Sequence, residues 1–232
     1  VPIFEANPVT GSAGELWYSK NDKALKFSYE YNAWSAGGNL ITTRRMLGGA
    51  GTQNAGLAFG GWCTGYSFAI GQCTEHYDGA SWSAGGAMND GKRETVGAGS
   101  QTAALNTGGV HTGNATSCLT EEYDGTSWSN ATPRIIPQRH GLLGGLQNAA
   151  FFAGGFDTPA YMACTLEYDG TNWSTGGTMI TGRYSAVAAG TQTAGIMVGG
   201  TYASAKSTCT EEYVSYITSG SFGRISATTF SG

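Results

Sequence analysis

Apolar residues come along this chain in short runs, never at helical spacing. In the clearest stretch, Gly141-Leu142-Leu143-Gly144 gives way to a turn at Leu146-Gln147-Asn148, then to Ala149 through Ala153 and the double glycine Gly154-Gly155. A variable stretch follows, then Cys164 to Tyr168, Asp169-Gly170 and Trp173. Short apolar runs rich in aromatics and bounded by Gly, Asn and Asp predict strands, whereas a helix needs a 3.6-residue period sustained over several turns. Asp-Gly between Tyr168 and Trp173 predicts a tight hairpin, because the turn requires a residue with positive φ. The unit reads as a four-stranded antiparallel meander.

The same phrase recurs. Glu75-His76-Tyr77-Asp78-Gly79-Ala80-Ser81-Trp82 returns at Glu121 to Trp128 and at Leu166 to Trp173, with a degenerate first copy, Ser28-Tyr29-Glu30-Tyr31-Asn32-Ala33-Trp34. Trp34, Trp82, Trp128 and Trp173 stand 48, 46 and 45 residues apart, and the double glycines Gly60-Gly61, Gly108-Gly109, Gly154-Gly155 and Gly199-Gly200 keep step. Self-similarity at about 40 to 50 residues marks a repeat architecture, in which no unit buries its apolar face alone. The four tryptophans, with Tyr77, Tyr123 and Tyr168, are the expected structural core of the repeat. Gly190 to Ala194, echoed at Gly51 to Ala55 and Gly99 to Ala103, predicts a second tight turn in each unit.

An Arg-led strand, a strand ending in Gly-Gly, then Tyr and Trp five residues apart resembles the kelch repeat over residues 25 to 218. The resemblance implies a β-propeller, with Trp and Tyr wedged between neighbouring blades. The blades fall at 43–84, 91–130, 137–175 and 182–218. The ends carry pieces: Glu15 to Ser19 and Leu25 to Trp34 supply strands two to four of a blade, and Arg224 to Phe230 matches a first strand. The expectation is an all-β, five-bladed propeller of four-stranded antiparallel blades in a single domain over 1–232. Its fifth blade would combine 15–36 with 224–231, after an N-terminal arm at 1–14, so that no inner edge is left unpaired.

Composition narrows the partners. The 38 Gly and 12% charged residues could pass for low complexity, but 12 Tyr, 9 Phe and 6 Trp supply the apolar area that disordered segments lack. A net charge of −4, with scattered Lys and Arg, gives no attraction for phosphate backbones, so nucleic acid is not an expected partner. No apolar run approaches the roughly 18 residues of a membrane helix, and no signal peptide opens the chain. The opening Val1 in place of Met is expected of a processed product or part of a longer polypeptide. Cys73, Cys118, Cys164 and Cys209 recur at 45, 46 and 45 residues, too far apart in a repeat array to pair, and are expected as buried small apolar side chains. Cys63 and Cys73 alone are placed to pair, across one hairpin.

Candidate chemistry is sparse. Glu75, Glu121, Glu167 and Glu211 recur once per unit, as do Arg45, Arg93, Arg139, Arg183 and Arg224. They read as one structural ion pair or backbone-bonding Arg per blade or, alternatively, as an Arg ring around the channel that binds an anion. His76, His111 and His140 sit in different contexts, and no nucleophile elbow, phosphate loop or calcium loop occurs. No catalytic residue, metal site or cofactor is expected. The variable connections after the double glycines, on one rim of the disc, carry Trp62, Tyr66 and Phe68, then Phe156 and Tyr161, then Tyr202. Aromatics in loops on a rigid frame suit sugar or protein surfaces, and these six are the candidate ligand-binding residues. They equally serve to cap their own hairpins.

The wording Thr120-Glu121-Glu122-Tyr123-Asp124-Gly125-Thr126-Ser127-Trp128-Ser129 is similar to kelch-type repeats in virion structural proteins of tailed phages. Gly14 to Ser19 and Ser221 to Arg224 resemble short modules of phage fibre proteins. This resemblance implies a non-enzymatic virion component, on a tail fibre or capsid, that touches host-surface glycans, neighbouring virion proteins or further copies of itself. A secreted five-bladed lectin and a sugar-oxidising or hydrolysing enzyme are the competing readings.

Overall fold

The computed structural model describes residues 2–4, 15–28, 34–62 and 71–214. Among the described residues the regular elements are strands and short 3-10 turns, and no helix is long and apolar enough to cross a membrane. Two compact units divide the chain, Val1–Gly37 and Gly38–Gly232.

The N-terminal unit is a three-stranded sheet of β1 (Ile3–Phe4), β2 (Leu16–Ser19) and β3 (Ala24–Phe27). The buried Ser19 hydroxyl donates to the Asp22 carboxylate at 2.9 Å and accepts its backbone N–H at 3.3 Å, which fixes the β2–β3 turn. β1 runs parallel to β2, with Ile3 opposite Tyr18 and Phe4 opposite Ser19.

In the second unit, the first blade is β4 (Gly48–Thr52), β5 (Ala55–Phe59), β6 (Thr74–Tyr77) and β7 (Trp82–Ala84). β8 (Val96–Gly99), β9 (Ala104–Thr107), β10 (Thr120–Tyr123) and β11 (Trp128–Ala131) make the second. The third has β12 (Leu142–Leu146) and β13 (Ala149–Ala153), a small outlying hairpin of β14 (Phe156–Asp157) and β15 (Ala160–Tyr161), then β16 (Thr165–Tyr168) and β17 (Trp173–Thr175). The fourth has β18 (Val187–Thr191) and β19 (Ala194–Val198), the hairpin of β20 (Thr201–Tyr202) and β21 (Ala205–Lys206), then β22 (Thr210–Val214). Every pairing within the blades is antiparallel. The first strands β4, β8, β12 and β18 pack side by side and line a central cavity of about 270 Å³.

This β-propeller has four blades among the described residues, which corrects the expected five. The edge of β2 reserved for a C-terminal strand is taken by β1, and β1 runs parallel where a blade's first strand runs antiparallel. The expected closing strand, 224–231, lies outside the described residues. Trp34 is a second correction: it is fully exposed rather than wedged between blades, and its degenerate phrase lacks the Asp-Gly turn.

The double glycine has a steric cause. Gly60 and Gly61 have φ of 65° and 101°, and the other three pairs match them. A Cβ on Gly61 would lie 2.9 Å from the Arg45 carbonyl oxygen, so this corner closes only with glycine. The Asp-Gly turns are fixed by their carboxylates: Asp78, Asp124 and Asp169 each accept the N–H groups two and three residues on. These bonds hold all three carboxyls below the ordinary aspartate range.

Three contacts recur where blades meet. Trp128 Nε1 donates to Thr74 Oγ1 of the preceding blade at 2.8 Å, and Trp173 Nε1 to Thr120 Oγ1 at 3.0 Å. Tyr123 hydroxyl lies 2.7 Å from His76 Nε2, Tyr168 hydroxyl donates to Glu122 at 2.9 Å, and Tyr213 hydroxyl donates to Glu167. Gln101, Gln147 and Gln192, from the first hairpin of each blade, each donate to two carbonyls of the blade before. Trp128 also meets the Phe59 ring edge-on at 4.9 Å, inside a core with Leu57, Met88 and Tyr123. Tyr77 and Trp82 of the first blade are only half-buried, and Trp82 Nε1 donates to the Gly38 carbonyl instead of a threonine.

A carboxylate, buried in the first two cases and partly exposed in the fourth blade, anchors the linker entering three of the blades. Glu75 pairs with Arg44 at 3.1 Å, Glu121 with Lys92 at 3.2 Å and Glu211 with Arg183 at 2.9 Å. Each also accepts two backbone N–H groups of the linker, those of Ile41 and Thr42, Asn89 and Asp90, or Ile180 and Thr181. Burial pushes the Lys92 ammonium down, and Glu121 and Asp90 pull it back up. The expected series is thus corrected by one residue at two places. Arg183 belongs with Arg44 and Lys92, not with Arg45, and the third blade has Leu166 where Glu167 was expected. A one-residue shift along a strand turns a side chain to the other face, which sends Glu167 to Tyr213.

The third blade dispenses with the pair altogether. Leu166 replaces the carboxylate and Gln138 the cation, while Arg134 donates to Thr107 Oγ1 at 2.9 Å and to Gln138 Oε1 at 2.7 Å. Its guanidinium lies 3.8 Å above the Phe152 ring, and burial pushes its pKa down to about 9. The cysteines differ from expectation too: Cys73, Cys118 and Cys164 are half-buried and Cys209 is exposed, all as free thiols. Cys63, and so its pairing, lies outside the described residues.

Trp128→Ala is expected to destabilise the fold by at least about 3 kcal/mol in chemical denaturation, and a loss under about 1 kcal/mol would refute the wedge. Glu121→Leu alone should cost about 3–5 kcal/mol, because it strands a buried ammonium. Adding Lys92→Gln, which recreates the third blade's combination, should restore at least about 1 kcal/mol. A double variant no more stable than the single one would show that the ammonium is not the source of the loss.

Candidate functional site

The rim where first strands begin is built from one strained position per blade. Met46, Glu94, His140 and Ser185 have φ of 58°, 57°, 51° and 52°, in the left-handed region that side chains other than glycine rarely occupy. Glu94 N–H donates to the Met46 carbonyl at 2.9 Å and Ser185 N–H to the His140 carbonyl at 3.0 Å, so the strained residues bridge adjacent blades. Their chain neighbours Leu47, Thr95 and Ala186 line the central cavity, which places this ring at its mouth.

One residue earlier stand Arg45, Arg93, Arg139 and Tyr184. Each forms a β-bridge with the residue following a double glycine: Trp62, Val110, Phe156 and Thr201. The bridge explains the repetition of both positions, since it pins the outgoing loop to the incoming strand.

Two aromatic patches result. The Trp62 ring, 42% exposed, has the Arg93 guanidinium 4.5 Å and the Arg45 guanidinium 5.1 Å from its centroid. Arg93 also donates to Asn114 Oδ1 at 2.5 Å, which holds it in place. The second patch joins Phe156, Tyr161, Tyr184 and Tyr202, with centroid separations between 5.4 and 5.9 Å. Arg139 lies 5.4 Å from the Phe156 centroid and His140 5.8 Å from that of Tyr184. Between the patches the second blade offers the buried Val110 and, beyond it, His111 at 2.8 Å from Asp90.

Glu94 sits at the electrostatic centre. Its largely buried carboxylate lies 3.2 Å from Arg93, 3.0 Å from His140 and 3.9 Å from Arg139. Burial pushes the His140 imidazole down, and Arg139 and Arg93 push it further, against the opposing pull of Glu94. The imidazole is therefore neutral near pH 7, and the carboxylate answers to the two arginines.

Of the six candidates, Phe156, Tyr161 and Tyr202 come together in one cluster, and Trp62 lies apart beside two guanidinium groups. Tyr66 and Phe68 lie outside the described residues. Tyr184, which stacks on Tyr161, was missed. Its signal was the doublet Arg44-Arg45, Lys92-Arg93 and Gln138-Arg139, whose fourth copy is Arg183-Tyr184. The arginines do not form one ring around the channel: Arg45, Arg93 and Arg139 spread over the rim, Arg183 is buried inside its blade, and Arg224 is outside the described residues. Exposed ring faces beside guanidinium donors can stack on the apolar faces of sugars and hydrogen-bond their hydroxyls. Among the described residues, no group of three or more His, Cys, Asp or Glu is placed to hold a metal ion.

No family model matches the chain, and no curated protein matches it. It is similar to a solved structure described as that of YjhT, over 83% of this chain and 70% of that one, with 12% sequence identity and a TM-score of 0.64. The likeness shows the fold, and the chain is a β-propeller protein.

In an NMR titration the His140 midpoint is expected below 6.5, and Glu94→Gln should lower it further by removing the one group that raises it. Because the folded state then binds fewer protons than the unfolded one, this residue's contribution to stability is present above about pH 6.5 and is lost as pH falls below it. A midpoint that rises in Glu94→Gln would overturn the assignment.

Proposed function

We propose that this propeller is a non-enzymatic binding module of kelch type, a structural or adhesion component of a tailed-phage particle whose rim holds a host-surface glycan. One observation carries the reading: Phe156, Tyr161, Tyr184 and Tyr202 gather into a single cluster flanked by Arg139 and His140, on the rim whose loops vary from blade to blade. Trp62, partly exposed beside Arg45 and Arg93, adds a second aromatic surface. Aromatic rings on a rigid frame lose little entropy on binding, and a neighbouring guanidinium supplies directed donors. The repeated residues, by contrast, are engaged in holding blades together, which leaves the variable rim to meet a ligand.

A glycan array probed with the full chain tests this. Binding should appear and weaken at least about tenfold in both Trp62→Ala and Tyr161→Ala, with the melting temperature changed by no more than a few degrees. Absence of binding to any glycan, or binding indifferent to both substitutions, would sink the glycan reading. Immunoelectron microscopy of purified particles, using antibodies against the propeller, checks the virion assignment separately.

A further inference from the structure

One carboxylate joins the two aromatic patches of the rim. Arg93 lies 4.5 Å from the Trp62 centroid and 3.2 Å from Glu94 Oε1, while Glu94 Oε2 lies 3.9 Å from Arg139, which in turn lies 5.4 Å from the Phe156 centroid. From Phe156 the contacts run on to Tyr161 at 5.6 Å and from there to Tyr202 at 5.9 Å. The line passes from the first blade's loop to the second blade at Arg93, to the third at Arg139 and to the fourth at Tyr202. It has rings at both ends and an ion cluster in the middle. Both ends are exposed, Tyr202 by 49%, and the Arg139 side chain between them by 26%.

Glu94 is held from both sides. Its N–H donates to the Met46 carbonyl at 2.9 Å and its carboxylate lies 3.0 Å from His140 Nε2, so it ties the second blade to both neighbours. A left-handed backbone persists at such a residue only where its surroundings over-determine it. The equivalent positions of the other blades carry Met46, His140 and Ser185, so a carboxylate here is particular to the second blade, unlike the residues repeated to hold blades together. With its side chain only 8% exposed, Glu94 acts on a ligand through the two arginines. A single sugar ring stacks on one aromatic face, and the ion cluster keeps the two patches apart. Two stacking sites fixed on one frame favour a ligand long enough to fill both, because the second contact forms at the high effective concentration set by the first.

We propose that the rim binds a polysaccharide chain, one chain lying from Trp62 to Tyr202, and that Glu94 is the positioning residue that sets Arg93 and Arg139 relative to one another for the two stacking sites. The inference rests on the glycan reading and adds to it the length of the ligand and the residue that couples the patches.

Isothermal titration calorimetry of the full chain tests this, with monosaccharide, disaccharide and octasaccharide fragments of the polysaccharide that gives the strongest signal on a glycan array. One octasaccharide should bind per protein, at least about a hundredfold more tightly than the monosaccharide. Trp62→Ala and Tyr161→Ala should each cut that gain to under about tenfold, since either leaves a single stacking site. Glu94→Gln should weaken the octasaccharide at least about tenfold more than the monosaccharide, whereas a merely structural role would weaken every probe alike. Should that variant fail to fold, Arg139→Lys, which keeps the charge and loses the planar fork, should show the same bias to about fivefold. An octasaccharide that binds no more tightly than the monosaccharide overturns the proposal and leaves the glycan reading standing. A folded Glu94 or Arg139 variant that weakens all three probes equally overturns the positioning role, and failure of all three to bind sinks both readings together.

Discussion

Indole against threonine hydroxyl is the contact on which the propeller depends. A four-stranded meander has two apolar faces and covers neither by itself, so each blade is stable only through its neighbours. Trp128 and Trp173 are buried at these interfaces, and each satisfies its N–H on the preceding blade. An indole buried with its N–H unpaired would lose much of what its area contributes, which explains why tryptophan and Thr74 or Thr120 occur together. Tyrosine hydroxyls and glutamine amides add polar bonds across the same interfaces, and these fix the blades in one register where apolar packing alone would tolerate several.

The buried carboxylates act within blades. An ion pair taken from water gains little over an apolar pair of similar volume, and the third blade gives an internal example: Leu166 and Gln138 stand where the other blades have glutamate and a cation. Elsewhere each carboxylate also accepts two backbone N–H groups of the linker, a role that leucine cannot fill. Their work is to set how the chain enters a blade.

The rim is governed by a different constraint. Its backbone is pinned by double glycines and by the bridges from Arg45, Arg93 and Arg139, so the loop beyond is free to change without disturbing the blade. That division between a fixed frame and variable loops places the aromatic cluster on a rigid base.

Periodicity alone established the all-β class, the strands of the repeat, the glycine corners and the core roles of Trp128 and Trp173, because each follows from a local requirement: a turn, a φ value, an alternating face. The repeated phrase already set Leu166 against Glu75 and Glu121, but grouping residues by type, one Glu and one Arg per unit, slipped by one residue to Glu167 and Arg183, an error that strand pairing does not tolerate. The blade count failed for a related reason. Strand likeness in the N-terminal segment could not reveal that Ile3–Phe4 takes the edge of β2. The rim cluster needed the fold as well, because Phe156, Tyr161, Tyr184 and Tyr202 span two blades, and only the packing of one sheet on the next brings rings 46 residues apart in sequence, from Phe156 to Tyr202, into one patch.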